Sequence, residues 1–288
     1  MSEQSTSFGM VFYYFQDPGT VLDQLVRVLS DFVECYQEDF TRISDSGDRF
    51  KAFRESDPGS FLERRIRSHD FSRSLFLLLT DSSKATTPTQ KLLFWGRRID
   101  ERFKSKTPNY IYFELPTTID IDLRWHLFKE AFFTLDFHLG LGNRVIAIDE
   151  ESMPRSGANA AKQLRESQLF AQGFDASFRN LSYLQVLEQR TTKFLMHPSQ
   201  FVGVGRELQH HIDYAGALAA SGKSQEHFEF WPSNEAFFFK ANDTRQLVAL
   251  SEFLSYHYVD VDRPPMFWKK EEWESWLVKV RGTTPGTI

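Results

Sequence analysis

Few side chains in this sequence stand at spacings that chemistry could use. His210 and His211 are neighbours, and neighbours on a helix project about 100° apart, so the pair cannot simply chelate one ion. No second His or Cys stands at a helical i, i+4 or a Cys-x-x-Cys spacing that would complete a metal site around them. His197 precedes Pro198 and reads as a loop residue, and His126 and His138 fall in or beside a helix. A solvated or core-satisfied ring accounts for each. The chain has no Gly-x-Ser-x-Gly elbow to present a serine nucleophile. Gly203-Val204-Gly205-Arg206 starts like a phosphate-binding loop but lacks the third glycine and the Gly-Lys-Ser/Thr ending. Cys35, the single cysteine, sits in an apolar helical run with Phe32, Val33 and Tyr36. That is the setting of a structural thiol, and a lone cysteine excludes an internal disulfide.

Carboxylates do occur in close groups: Asp120/Asp122, Asp149/Glu150/Glu151, Asp260/Asp262 and Glu271/Glu272/Glu274. Paired acids can serve as general acid and base or hold a divalent cation. The same spacing also describes a helix cap or a solvated face. The catalytic reading is a metal-assisted hydrolase built on Asp120 and Asp122, which needs a histidine converging with them in a pocket. The binding reading is an acidic surface turned toward a partner. Trp231, Trp268, Trp273 and Trp276 gather in the last third, where indoles either close a core or anchor an interface. No catalytic residue, cofactor or metal ligand is assigned, and the chain is expected not to be an enzyme.

The elements that position these groups follow from periodicity. Gly9–Phe15 is an aromatic, β-branched run that predicts a buried strand. Asp17-Pro18 then supplies an N-cap and a proline at the first helical position. Val21, Leu25, Leu29, Phe32 and Tyr36 recur at helical spacing, which predicts a helix to about Phe40. Phe61–Arg67 reads as a short helix; Ser74–Thr80, Leu92–Trp95, Asn109–Leu115 and Arg144–Ile148 read as strands, with Asp81–Gln90 as an exposed hairpin loop. A long helix is predicted from about Asp120 to Phe137, with Leu123, Leu127, Ala131 and Leu135 on one face. Residues 1–150 thus predict an α+β unit, an antiparallel sheet with helices packed on one face.

Beyond Glu150 the sequence predicts a helix over Ser156–Phe170, a helix over Gly203–Gly216, and a hairpin of Phe228–Trp231 and Ala236–Lys240 around Pro232-Ser233-Asn234-Glu235. Phe178–Leu187 is ambiguous between helix and strand. A helix marked by Leu247, Leu250, Phe253 and Leu254 follows, then the break Arg263-Pro264-Pro265 and a last helix over Glu271–Val280. Residues 151–288 form a second α+β unit, expected to pack on the first as one body, with Glu150–Gly157 as the boundary.

Composition narrows the partners. With 41% hydrophobic and 25% charged residues the chain has ordinary globular composition, and its 29 phenylalanines are core fillers first. The net charge of −5 and the lack of a Lys/Arg cluster argue against nucleic-acid binding. No apolar run reaches the ~18 residues of a membrane span, and the N-terminal residues lack a signal-peptide pattern, so a cytoplasmic protein is expected.

The close of the chain carries a resemblance. Phe237–Lys240, the helix Gln246–Tyr258, Arg263-Pro264-Pro265, then Phe267 and the acidic-tryptophan helix Glu271–Trp276 are similar to the C-terminal end of the type VI secretion immunity family. Gly9–Phe15 with its helix, and Tyr110–Leu115 with Pro116-Thr117, a long helix and Arg144–Ile148, resemble its first two units. His197-Pro198 resembles a dipeptide midway through its chains, whereas the glycine-rich middle of the family is thin here, over residues 157–225. The resemblance implies an antidote that binds and neutralises a co-encoded toxin, in some cases a DNase, and it carries no catalytic residues. With a basic nuclease as partner, the expected contacts are Asp149, Glu150, Glu151, Asp260 and Asp262, acidic groups beside chain breaks, with Trp268 as anchor.

Overall fold

The computed structural model describes residues 6–36, 40–47, 49–81, 90–99, 107–148, 153–166, 187, 191–221, 227–259, 264 and 268–281. Among the described residues ten strands are formed: β1 (Thr6–Tyr14), β2 (Arg42–Ser44), β3 (Phe50–Ala52), β4 (Leu75–Thr80), β5 (Lys91–Gly96), β6 (Asn109–Pro116), β7 (Leu139–Ile146), β8 (Phe201–Gly205), β9 (Glu229–Pro232) and β10 (Ala236–Lys240). The α-helices among the described residues are α1 (Leu22–Val33), α2 (Pro58–Arg67), α3 (Ile121–Thr134), α4 (Met153–Glu166), α5 (Arg206–Gln209), α6 (Tyr214–Ala220), α7 (Thr244–Phe253) and α8 (Lys270–Arg281). The strands join in one sheet of order β3-β2-β4-β5-β6-β1-β7-β8-β10-β9, and every pairing is antiparallel. The α+β class and the antiparallel sheet are those the sequence predicts. The sheet runs without a break from the strands of residues 1–150 into β8, through the β7–β8 pairing.

Successive strand residues face opposite ways, so each strand feeds two cores. On β1, Phe8, Met10, Phe12 and Tyr14 enter one core, while Val11 and Tyr13 enter the other. The first core is closed by α1, α2 and α3, the second by α4 and the helices after it. Helices therefore lie on one face within residues 1–150, as the sequence predicts, and on the opposite face beyond.

Local chemistry sets the helix ends. Asp17 Oδ1 accepts from the Gly19 N–H at 2.9 Å and starts a short 3-10 turn at Pro18; α1 begins only at Leu22. It ends at Val33 rather than near Phe40, because the Cys35 and Tyr36 N–H groups turn to carbonyls three residues back, at Phe32 and Val33, and the helix tightens to its exit. Asp120 caps α3, accepting from the Asp122 and Leu123 N–H groups at 2.8 and 3.4 Å.

Two predictions fail on glycine. β7 begins at Leu139, five residues before the predicted start, and Gly203-Val204-Gly205 is strand β8, where a helix is predicted. Gly140 and Gly203 lie beneath α3: a Cβ on either would stand 2.7 or 2.5 Å from the Phe132 ring. A Cβ on Gly205 would strike the Phe137 carbonyl oxygen. These glycines serve a close approach between layers, and that need is not visible in local propensity. Helix resumes only after Gly205, as α5 and α6. The edge strand β3 and its neighbour β2 are only three residues each and largely unburied, and carry no alternation to read. All of Phe178–Leu187 except Leu187, and most of Asp81–Gln90, lie outside the described residues.

Candidate functional site

The carboxylates that could have formed a catalytic pair have other work. Asp120 is the α3 cap. Asp122 accepts a hydrogen bond from Lys240 Nζ at 2.8 Å, and that bond and charge hold its carboxyl below the usual carboxylate range. On α3 the nearest histidine in sequence, His126, stands 3.9 Å from Glu130. Among the described residues no group of three or more His, Cys, Asp or Glu side chains could hold a metal ion. Glu271 and Glu272 lie in the first turn of α8, where acids suit the helix dipole, and Glu272 accepts from the Lys269 N–H at 3.2 Å.

The buried histidines sit among structural contacts. His197 is buried, its Nδ1 2.9 Å from the Pro198 carbonyl, and burial pulls its pKa down to about 4. His138 is buried with its Nδ1 3.2 Å from Glu207. The His210 and His211 rings lie 3.8 Å apart, and burial followed by the neighbouring ring lowers the pKa of His211. The Cys35 thiol donates to the Asp31 carbonyl at 3.4 Å, and burial raises its pKa, the opposite of an activated thiolate.

The tryptophans divide. Trp268, Trp273 and Trp276 form a buried trio with ring centroids 5.2–5.5 Å apart, so Trp268, at 7% exposure, closes the core. Asp149, Glu150, Glu151, Asp260 and Asp262 lie outside the described residues. Trp231 differs from the trio. It sits on the edge strand β9 with 49% of its surface exposed, and Phe133 of α3 is 50% exposed nearby. Phe238, the cross-strand partner of Trp231, has its ring 5.9 Å from that of Phe133. Lys129 Nζ stands 4.9 Å from the Trp231 ring and 5.5 Å from Trp125. Sequence reasoning placed Trp231 with the other indoles and missed its link to α3. The signal available was position: Trp231 directly precedes Pro232, which marks a strand end at a sheet edge.

The fold and this surface define an α+β protein with one broad antiparallel sheet between two helical layers and an aromatic patch at one sheet edge. No protein-family model matches the chain, and no curated protein does. In fold the chain is similar to the Pseudomonas aeruginosa T6SS (type VI secretion system) protein PA0821, with a TM-score of 0.69 and 14% identity, over 96% of this chain and 82% of that one. At that identity the likeness is one of fold. No helix among the described residues is long and apolar enough to cross a membrane.

Proposed function

We propose that this chain is an immunity protein that binds and neutralises a co-encoded type VI secretion toxin in the cytoplasm, the toxin being a DNase-type effector. The observation that carries the reading is the fold shared with a T6SS protein across 96% of the chain. Two others support it. Asp120 is engaged as a helix cap, Asp122 in an ion pair with Lys240 and His197 in the core, an arrangement that suits a binding protein. Half-exposed aromatic side chains gather on one face, where interface anchors are expected. A basic DNA-binding cleft on the toxin would also suit the acidic segments around Asp149–Glu151 and Asp260–Asp262. Co-expression with the product of the adjoining gene is the test. The two proteins should co-purify, and cells carrying both should survive where the toxin alone kills. A partner that neither co-purifies nor is restrained overturns the proposal.

A further inference from the structure

We infer that the face built from Lys129 and Phe133 of α3 and Trp231 of β9 is where the partner protein docks, and that its occupant is a partner segment presenting a carboxylate beside an apolar side chain. The inference rests on the binding role proposed above.

The apolar part comes first. Trp231 and Phe133 leave about half of their surfaces in water; the Phe133 ring packs on the buried Phe238, which is the cross-strand partner of Trp231. Exposed aromatics of this size are the usual anchors of protein interfaces. The anchor is already oriented. Trp231 Nε1 donates to Glu229 Oε2 at 3.3 Å, and the Lys129 ammonium lies against the ring at 4.9 Å. A side chain held in one place before binding loses little freedom on binding.

Charge selects the occupant. Lys240, one strand in, is matched by Asp122 at 2.8 Å and Glu229 at 3.8 Å. The Lys129 ammonium meets two indole rings and no carboxylate among the described residues. On a chain of net charge −5 this leaves a local positive point flanked by aromatics. A partner carboxylate brought there gains a charge-assisted contact in partly desolvated surroundings. Strand addition at this edge is disfavoured: β9 has four residues and ends in Pro232, which has no N–H to offer. Recognition therefore runs through side chains.

The experiment measures binding of the co-encoded toxin to the full chain and to Lys129→Glu, Lys129→Arg, Trp231→Ala and Phe133→Ser, with urea unfolding of each variant to confirm the fold. Lys129→Glu and Trp231→Ala should each weaken binding by about 10-fold or more. The Lys129→Glu loss should shrink at high salt, and Lys129→Arg should bind nearly as the parent does. Unchanged affinity in folded Lys129→Glu, Trp231→Ala and Phe133→Ser overturns the inference and leaves the immunity role standing. Tighter binding by Lys129→Glu would mean a basic occupant and overturns it too. So does a dimer of the free chain that Trp231→Ala dissolves, which would make the face a self-interface. If the parent chain captures no toxin, the immunity role fails, and this inference fails with it.

Discussion

On the face covered by α1, α2 and α3, ring packs on ring. Phe12 meets Phe32, Phe113, Phe128, Phe132 and Phe137 with centroids 5.0–6.2 Å apart, and Phe32 stacks on Phe113 at 3.7 Å. On the opposite face the core is threaded with polar groups. Lys91 and Glu114, both fully buried, pair at 3.4 Å; Tyr112 Oη donates to Glu114 at 2.6 Å and Lys91 Nζ to the Ile148 carbonyl at 3.2 Å. His257 Nδ1 lies 2.8 Å from the Thr192 carbonyl. Arg281 Nε donates to the Met196 carbonyl at 2.9 Å, and its Nη2 to that of Val259 at 2.9 Å.

The difference follows from what covers each face. Helices satisfy their own backbone, so a face closed by helices can be filled with hydrocarbon. The second face is closed partly by the irregular segment 191–200, of which 194–200 is buried. Buried backbone of that kind must find its hydrogen bonds elsewhere, and the side chains of Arg281, His257 and Asn143 provide some of them. One face should therefore fail through steric change and the other through loss of charge or proton balance.

The largest effect is expected at the buried ion pair. Lys91→Met or Glu114→Leu alone should destabilise by about 3–5 kcal/mol, since each strands a buried charge, whereas the double variant should lose less than either single. Urea unfolding of the four proteins checks this. Singles that cost no more than the double would remove the electrostatic half of the comparison.

The next effect is acid sensitivity of the same face. His197 binds its proton only near pH 4 in the folded protein, against an ordinary value of 6.5 in the unfolded chain. The folded pKa is depressed, so the unfolded chain takes up the proton first as pH falls. The stability tied to the neutral ring is complete above about pH 6.5 and is lost between pH 6.5 and 4, by about 3 kcal/mol. Burial shifts His257 in the same direction. A His197→Gln variant should show a flatter stability profile across that window, measured by unfolding at fixed pH steps. A slope identical to the parent's would remove His197 from the account.

The smallest effect belongs to the aromatic face. Gly203→Ala presses a methyl group into the Phe132 ring and should cost about 1–3 kcal/mol, because that ring must shift within a packed core. The loss should be the same at pH 5 and pH 8, as no titrating group is involved. A pH-dependent loss would mean that the two faces are coupled through the sheet.

The sequence by itself determined the α+β class, the strands β1, β4, β5 and β6, the start of α3, the presence of α7, and the β9–β10 hairpin. These rest on short-range causes: alternation of large side chains, Asp caps and a proline-bearing turn act within a few residues. Only the tertiary structure decided that Gly140 and Gly203 are strand residues, because what they accommodate is Phe132, a ring on another layer. Only it separated the tryptophans as well. Trp268 and Trp231 look alike along the chain, yet one is enclosed by Trp273 and Trp276 and the other stands at the end of a ten-stranded sheet beside Lys129. Burial and exposure are set by which distant elements come to lie alongside, and spacing within one segment does not encode that.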